Sequence, residues 1–227
     1  VNTQTSKTFP EGTTLMDMLP SFEFERPYPI LCAKVNNVSQ GLKYRAFNSR
    51  KVEFHDYTSY LGRSVYCNSL CFLLCKAAKD VFPGCRVILR RPISKGYFCS
   101  IDKGDGSQIS VSDLEKIKAR MSDLVKADIP FRRHEVLVEE AIELFRSLGY
   151  DDKVKLLETS GDVYVNYYTL EDTPDYYYDA LLSSTGNLKV WGLEMYRDGL
   201  LLRVPDRHKP EELAPFVEQP KTFDVFA

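Results

Sequence analysis

The spacing of apolar residues changes once along the chain, and this change limits the folds that the chain can adopt. Before residue 60, apolar and polar residues alternate in short runs, which is typical of half-buried strands. From Asn68 the apolar residues keep helical spacing until Phe82-Pro83-Gly84, where we expect the helix to end. Further helical segments follow, and the last third is mostly strand-like. Helices grouped ahead of a run of strands predict an α+β fold and not a parallel βαβ array.

Residues 1–60 are predicted to form a small module of strands with one short helix. The helix follows a turn in PEGTTLMDMLP (10–20) and places Leu15, Met18 and Leu19 on its apolar face. Strands are predicted in ILCAKVNN (30–37), which turns at Asn36-Asn37, in LKYRAF (42–47) and in VEFHDY (52–57). This order of elements indicates a β-grasp-like module.

The rest of the chain is predicted to place three helices against an antiparallel sheet, after a break near residues 58–66. A capping box at Ser112–Glu115 opens the second helix, and the third runs from about Leu137 to Leu148. Strands are predicted at 86–92, 96–102, 154–158, 162–170, 187–196 and 199–205.

Composition excludes several classes of protein. Of the 227 residues, 44% are hydrophobic and 27% are charged, which does not fit a collagen-like, coiled-coil or disordered chain. The formal net charge of −2 provides no overall basic field, although a local basic patch remains open. No apolar run is long enough to span a bilayer, so we expect no membrane contact.

The cysteines and histidines indicate no metal site. The six cysteines are too sparse for a disulfide scaffold, which favours a reducing, cytoplasmic location. Cys67, Cys71 and Cys75 repeat every four residues, a stripe that fits core packing better than a zinc site. The three histidines lie far apart in sequence.

The usual catalytic motifs are missing. The sequence contains no phosphate-binding G-x-x-x-x-G-K-[ST] loop, no G-x-G-x-x-G after a strand and no G-x-S-x-G nucleophile elbow. We therefore expect this chain to need no ATP, magnesium or other cofactor.

Several strings resemble the N-terminal half of threonyl-tRNA synthetase. FPEGTTLMDML (9–19) and AKVNN (33–37) are similar to its TGS domain, a β-grasp module. The editing domain that this synthetase shares with alanyl-tRNA synthetase is resembled by the strings NSLCFLLCKAAKDVFPG (68–84), KGYFCSID (95–102), ISVSDLEKIKARMSDLVKADIPFRRHEVLVEEAIELF (109–145) and SSTGNLKVWGLE (183–194). The resemblance implies a TGS-like domain at 1–60, an editing-like domain at 61–206 and a linker at 207–227.

The chain departs from that family where the family carries its polar site residues. The resemblance implies two histidines four residues apart on the first long helix, and a later cysteine and histidine. These positions hold Asn68, Phe72, Tyr177 and Leu181 here. Phe72 and Leu181 cannot bind a metal or transfer a proton. We therefore predict a degenerate, metal-free cleft at these four residues and Tyr97, with no catalytic residue.

The C-terminal part resembles a different group of proteins. VKLLETSG (154–161), DYYYDALLSSTG (175–186) and the segment after residue 207 are similar to bacterial proteins in which such a front end precedes a uridine kinase-like domain of the phosphoribulokinase/uridine kinase family. That resemblance implies a P-loop kinase domain beyond Ala227, which would use ATP and magnesium and would be the partner of this region.

Three functions stay open. The first is a non-catalytic binding or regulatory front end of a uridine kinase. The second is an RNA- or tRNA-binding module, for which a basic strip beside Tyr97 and Phe98 is a candidate. The strip comprises Arg90, Arg91, Lys95, Arg132 and Arg133. The third is a deacylase acting in trans on mischarged tRNA, which lacks the groups that activate water.

Overall fold

The computed structural model describes residues 5–24, 27–93 and 95–216, without the side chains of residues 90–93. Five helices are described: α1 (Leu15–Met18), α2 (Tyr60–Val81), α3 (Val111–Lys126), α4 (Val138–Ser147) and α5 (Asp151–Glu158). No helix in the described ranges is both long and apolar enough to cross a membrane.

Twelve strands pair, always in antiparallel fashion within the described ranges, so the predicted α+β class is confirmed. The first five are β1 (Thr13–Thr14), β2 (Ile30–Val35), β3 (Val38–Gly41), β4 (Arg45–Ala46) and β5 (Val52–Asp56). The others are β6 (Arg86–Ile93), β7 (Gly96–Asp102), β8 (Phe131–Leu137), β9 (Tyr164–Leu170), β10 (Thr173–Asp175), β11 (Gly192–Tyr196) and β12 (Gly199–Arg203).

The strands form three larger sheets and one short pair. The first sheet has the order β3-β2-β5, the second β11-β12-β7-β6 and the third β10-β9-β8, while β1 pairs with β4. The β2–β3 hairpin turns at Asn36 and Asn37, as predicted, and both residues have positive φ, 48° and 67°.

Helix α2 is the central element of the molecule. It packs against α3 and contacts all three larger sheets, through β2, β6 and β9. Its N-cap is Ser59, whose side chain accepts a hydrogen bond from the Gly62 amide. A Cβ at position 62 would lie 1.9 Å from the Asp56 carbonyl oxygen, so glycine is required where α2 begins against the end of β5.

The hydrophobic core is divided into three clusters of buried side chains. The largest surrounds α2 and includes residues of β2, α3, β7 and β12. Because Leu31 and Cys32 of β2 belong to this cluster, the N-terminal sheet shares the main core. Smaller clusters lie between α1, β2 and the following loop, and between α4, α5 and β9.

Several predicted elements are wrong in detail. Residues 154–158 belong to helix α5 and not to a strand, because Val154 and Leu157 are buried three residues apart on one helical face. Helix α2 begins at Tyr60, two turns before Asn68. The capping box of α3 uses Ser110 with Asp113, not Ser112 with Glu115.

The later strands form two sheets where one was expected. Strand β8 was not predicted. It pairs with β9, which also pairs with β10, and the three form a sheet separate from that of β6, β7, β11 and β12. The strand predicted at 187–196 is confined to Gly192–Tyr196, and that at 42–47 to Arg45–Ala46.

Candidate functional site

Two of the four positions in the predicted cleft are buried in the core. Phe72 has no exposed surface, and Leu181 is 2% exposed. The ring centroid of Phe72 lies 5.5 Å from that of Tyr177 and 5.8 Å from that of Phe131. The side chain of Phe72 therefore fills the space between α2, β8 and the loop that carries Tyr177.

The loop at 176–182 is attached to α2 beside Asn68. The Leu182 amide donates to Ser69 Oγ over 2.9 Å, and Ser69 Oγ donates to the Val65 carbonyl over 2.7 Å. Asn68, half-buried, precedes Ser69 on the helix. The structure therefore brings the loop of Tyr177 and Leu181 onto the helix of Asn68 and Phe72, whereas their role in binding stays a prediction.

A cavity of about 660 Å³ lies next to Tyr177, between α2, α5 and β6. We call it the Tyr177 cavity. Its polar and aromatic wall is formed by Lys79, Arg86, Tyr150, Asp151, Asp152, Lys153, Asp175 and Tyr177. Three basic side chains, three carboxylates and two tyrosines thus surround one depression.

Two of the basic side chains of the cavity, Lys79 and Lys153, lie around one ring. The ammonium of Lys79 lies 4.5 Å and that of Lys153 5.6 Å from the ring centroid of Tyr150, within the range of cation–π attraction. The ring of Phe145 stacks on the ring of Tyr150, with centroids 5.9 Å apart. Lys79 also contacts the Tyr150 hydroxyl.

Lys153 and Asp175 form an ion pair at the back of this cavity. The Tyr177 hydroxyl donates to the other oxygen of Asp175 over 3.4 Å. Burial, with the positive charge of Lys79 nearby, lowers the pKa of Lys153. Burial raises the pKa of Tyr177 well above its ordinary value, so the phenol stays neutral.

Sequence reasoning missed Lys79, Tyr150, Lys153 and Asp175. Lys153 lies in the segment next to 154–158, which was interpreted as a strand. The acidic residues Asp151 and Asp152 are a signal for the first turn of a helix. A helix predicted there would have included Lys153 and made it a candidate site residue.

The cysteines next to the Tyr177 cavity are buried. In the described part of the chain, no cluster of three or more His, Cys, Asp or Glu residues is placed to hold a metal ion. Cys71 and Cys75 are buried beside Tyr177, and burial raises the pKa of both thiols, which keeps them protonated. No histidine lines the Tyr177 cavity.

The histidines lie elsewhere. His134 stacks on Tyr167 with ring centroids 4.9 Å apart and is 2.9 Å from Thr169 Oγ1. His55 is half-buried in β5, and burial lowers its pKa. His208 is exposed after β12.

The predicted basic strip is distributed over two sheets. Lys95 and Tyr97 belong to the β6–β7 region, where Lys95 Nζ lies 3.8 Å from Asp206 Oδ2. Arg132 and Arg133 belong to β8 in the other sheet. The side chains of Arg90 and Arg91 lie outside the described parts of the structure.

Comparison with known proteins identifies relatives for most of the chain. No protein-family profile matches it. It is 31% identical over 188 residues to the threonine–tRNA ligase of Syntrophotalea carbinolica, covering 82% of this chain and 29% of the ligase. It is 27% identical over 186 residues to that of Carboxydothermus hydrogenoformans, again covering 82% and 29%.

Its homologues are threonine–tRNA ligases. The ligase of Desulforamulus reducens is also similar, with 28% identity over 179 residues, 78% of this chain and 28% of the ligase. The chain thus spans less than a third of the length of these curated relatives. The relatives named here support the resemblance to a synthetase and give no support to a uridine kinase.

Proposed function

We propose that the chain binds the single-stranded 3′ end of a tRNA in the Tyr177 cavity and does not hydrolyse the ester that this end carries. The observation that carries the proposal is the similarity, over about four-fifths of the chain, to ligases named for threonine and tRNA. Within this proposal, residues 1–60 form a TGS-like domain, residues 61–206 an editing-like domain and residues 207–227 a linker.

The chemistry of the Tyr177 cavity supports an RNA ligand. Its basic and acidic side chains are equal in number, and Lys153 is paired with Asp175. Lys79 and Arg86 supply local positive charge for phosphate groups, and the rings of Tyr150 and Tyr177 supply surfaces for a base. Positive charge beside aromatic rings is the combination that single-stranded nucleic acid requires, because the phosphates are neutralised while the bases stack.

The proposal excludes hydrolysis because the groups that would promote it are replaced. Ester hydrolysis at neutral pH needs a base or a metal ion to activate water. The resemblance implies such groups at positions 68, 72, 177 and 181, and Phe72 and Leu181 there are core side chains. A neutral, half-buried Tyr177 phenol is also a poor base.

Binding is tested by fluorescence anisotropy with threonine tRNA, intact or with its 3′-terminal nucleotides removed. We expect removal of these nucleotides to weaken binding. We expect Lys79→Gln to weaken binding of the intact tRNA roughly fivefold, as for loss of one lysine–phosphate contact. Lys116→Gln, an exposed residue of α3, is the matched control and should bind like the original chain. Equal affinity for both tRNAs would contradict the proposal.

Hydrolysis is tested with mischarged threonine tRNA at high protein concentration. We expect the ester to disappear no faster than in buffer. Deacylation that is abolished by Tyr177→Phe would instead show that the chain is a trans-acting deacylase.

A further inference from the structure

A second cavity, separate from the first, lies where the N-terminal sheet meets the sheet of β8. It measures about 610 Å³ and has β3 and the following loop on one side and β8 on the other. We call it the β3–β8 groove. Its charged and aromatic wall is formed by Lys43, Tyr44, Phe131, Arg132, Arg133, His134 and Tyr168.

The charge of this groove is unlike that of the chain as a whole. The chain carries 30 Lys and Arg residues against 32 Asp and Glu residues. The groove has Lys43, Arg132 and Arg133 in its wall, and none of its described lining residues is Asp or Glu. Its positive charge is therefore not neutralised locally, which favours an anionic ligand.

Arg133 is held in position by hydrogen bonds to side chains of β3 and β9. Its Nη1 donates to Gln40 Oε1 of β3 over 2.5 Å, and its Nε donates to Asn166 Oδ1 of β9 over 2.8 Å. Gln40 is itself buried. A guanidinium fixed in this way loses little conformational freedom when it binds a further anion.

Residues of β3 also contact the loop at 176–182. The Ala180 amide donates to Ser39 Oγ over 3.2 Å, next to the bond between Gln40 and Arg133. A Cβ at Gly41 would lie 3.2 Å from the Leu181 carbonyl oxygen, so the backbones are in close contact there. The groove is therefore preformed, which reduces the entropy that a ligand must overcome.

A smaller cavity has lining residues in common with the groove and with the Tyr177 cavity. It measures about 300 Å³, shares Arg133 and Tyr168 with the groove and shares Tyr177 with the Tyr177 cavity. Lys34, Asp179 and Tyr178 also line it, and Tyr178 is 92% exposed. The three cavities therefore lie side by side on the molecule, an arrangement that suits a linear polyanion better than one small anion.

We propose that the β3–β8 groove binds phosphate groups of the RNA strand whose 3′ end lies in the Tyr177 cavity. The inference rests on the proposed function and adds a second, electrostatic contact between strand and protein. Lys43 and Arg132, both exposed, contact phosphates there together with Arg133, and Tyr178 offers a ring on which an intervening base stacks.

The test uses the full chain and fluorescein-labelled single-stranded RNAs of 4 and 12 nucleotides with the same 3′ end. The variant Lys43→Gln/Arg132→Gln removes two exposed cations from the groove. Lys155→Gln/Arg207→Gln makes the same charge change at exposed residues that line none of the three cavities. Affinity is measured by anisotropy over a range of salt concentrations.

We expect the groove variant to bind the 12-nucleotide RNA about tenfold more weakly at roughly 0.1 M salt, and to bind the 4-nucleotide RNA unchanged. The slope of log affinity against log salt should fall by about 1.4, or roughly 0.7 for each lost phosphate contact. The control variant should keep the original slope.

An unchanged affinity and slope in the groove variant would overturn the inference. The proposed function would survive that result if Lys79→Gln still weakened binding. Inorganic tripolyphosphate is the competitor that separates a strand from a small anion. If tripolyphosphate displaces the label and the 12-nucleotide RNA binds no tighter than the 4-nucleotide RNA, the ligand is a free polyphosphate and the inference is wrong.

Discussion

Phe72 shows how one side chain can exclude a type of chemistry. It lies in the middle of α2, with its ring between those of Phe131 and Tyr177 and with no exposed surface. A polar residue placed there would need a partner inside the core, because an unpaired buried polar group is costly. The aromatic contacts therefore stabilise the fold at the position where the resemblance implies a catalytic histidine.

Phe72→Ala is expected to lower the free energy of unfolding by about 3–5 kcal/mol, because it leaves a cavity in the main core. Urea unfolding followed by circular dichroism measures the change. Tyr60→Ala, in the same helix but at a residue that is 79% exposed, should change it by less than about 0.5 kcal/mol. A loss below about 1 kcal/mol for Phe72→Ala would show that the ring is not packed as described.

Ser69 also stabilises the fold, through the hydrogen bond that its hydroxyl accepts from the Leu182 amide. Replacing it with alanine leaves the buried Leu182 amide without its acceptor, so we expect a loss of about 1–3 kcal/mol. Amide hydrogen exchange at Leu182 should become faster as well. Ser122→Ala is the control, because that hydroxyl only donates to a carbonyl of its own helix, Lys118. Unchanged exchange at Leu182 would argue against the bond between the loop and α2.

At the scale of elements, the capping box at the start of α3 makes the stability of the fold depend on pH. The Ser110 side chain accepts from the Asp113 amide, and the Asp113 carboxylate accepts from the Ser110 amide. The Ser110 backbone bond, with a further bond from Lys103, lowers the pKa of Asp113 to about 2. The ordinary value for an unfolded chain is near 3.9.

The folded chain therefore binds a proton at Asp113 less readily than the unfolded chain does. Its stabilising effect is complete above about pH 4 and disappears as the pH falls through about 2. We expect the urea midpoint to fall over this range, and to fall less in Asp113→Asn. Asp123→Asn, an exposed acid of the same helix, is the control. The same pH dependence in both variants would contradict this role for Asp113.

An ion-pair network joins α2, α3 and the β9–β10 turn. Lys76, 4% exposed, lies 2.8 Å from Asp80 and 2.7 Å from Asp172, and Arg120 pairs with Asp80 and Glu171. Burial alone lowers the pKa of Lys76, but hydrogen bonds from Lys76 to Asp172 and Asp80 raise it to about 12. The lysine thus stays charged, and its partners explain its presence in the core.

At the scale of the whole molecule, the N-terminal sheet and the larger part share one core. Cys32 of β2 and Cys71 of α2 are buried in the same cluster, and all six cysteines are buried. Burial raises the pKa of Cys32 to about 12 and likewise that of Cys99. These thiols are therefore protonated at pH 8 as well as inaccessible.

We expect none of the six thiols to react rapidly with iodoacetamide at pH 8 in the folded chain, and all six to react in denaturant. Mass spectrometry of labelled peptides should give the same urea midpoint for Cys32 and Cys71, since one core must open to expose both. Labelling of Cys32 at lower urea than Cys71 would show that the N-terminal sheet opens by itself.

Sequence reasoning was most successful where the signal is local. The period of α2, the Asn36-Asn37 turn and the strand at 96–102 depend on spacing and backbone preference, and each is confirmed. The segment at 154–158 was wrongly predicted as a strand, because a short amphipathic helix and a strand place similar numbers of apolar residues in so few positions. Strand β8 was missed because Arg132 and Arg133, which project from opposite faces, and Glu135 are all exposed and hide the alternation.

The sequence by itself determined the α+β class and the central helix. Only the tertiary structure decided which distant residues meet. It brought Lys79 of α2, Lys153 of α5 and Tyr177 to one cavity, and it separated Arg132 from Lys95. The physical reason is that spacing specifies the buried face of each element, whereas packing around α2 specifies the neighbours that each face acquires.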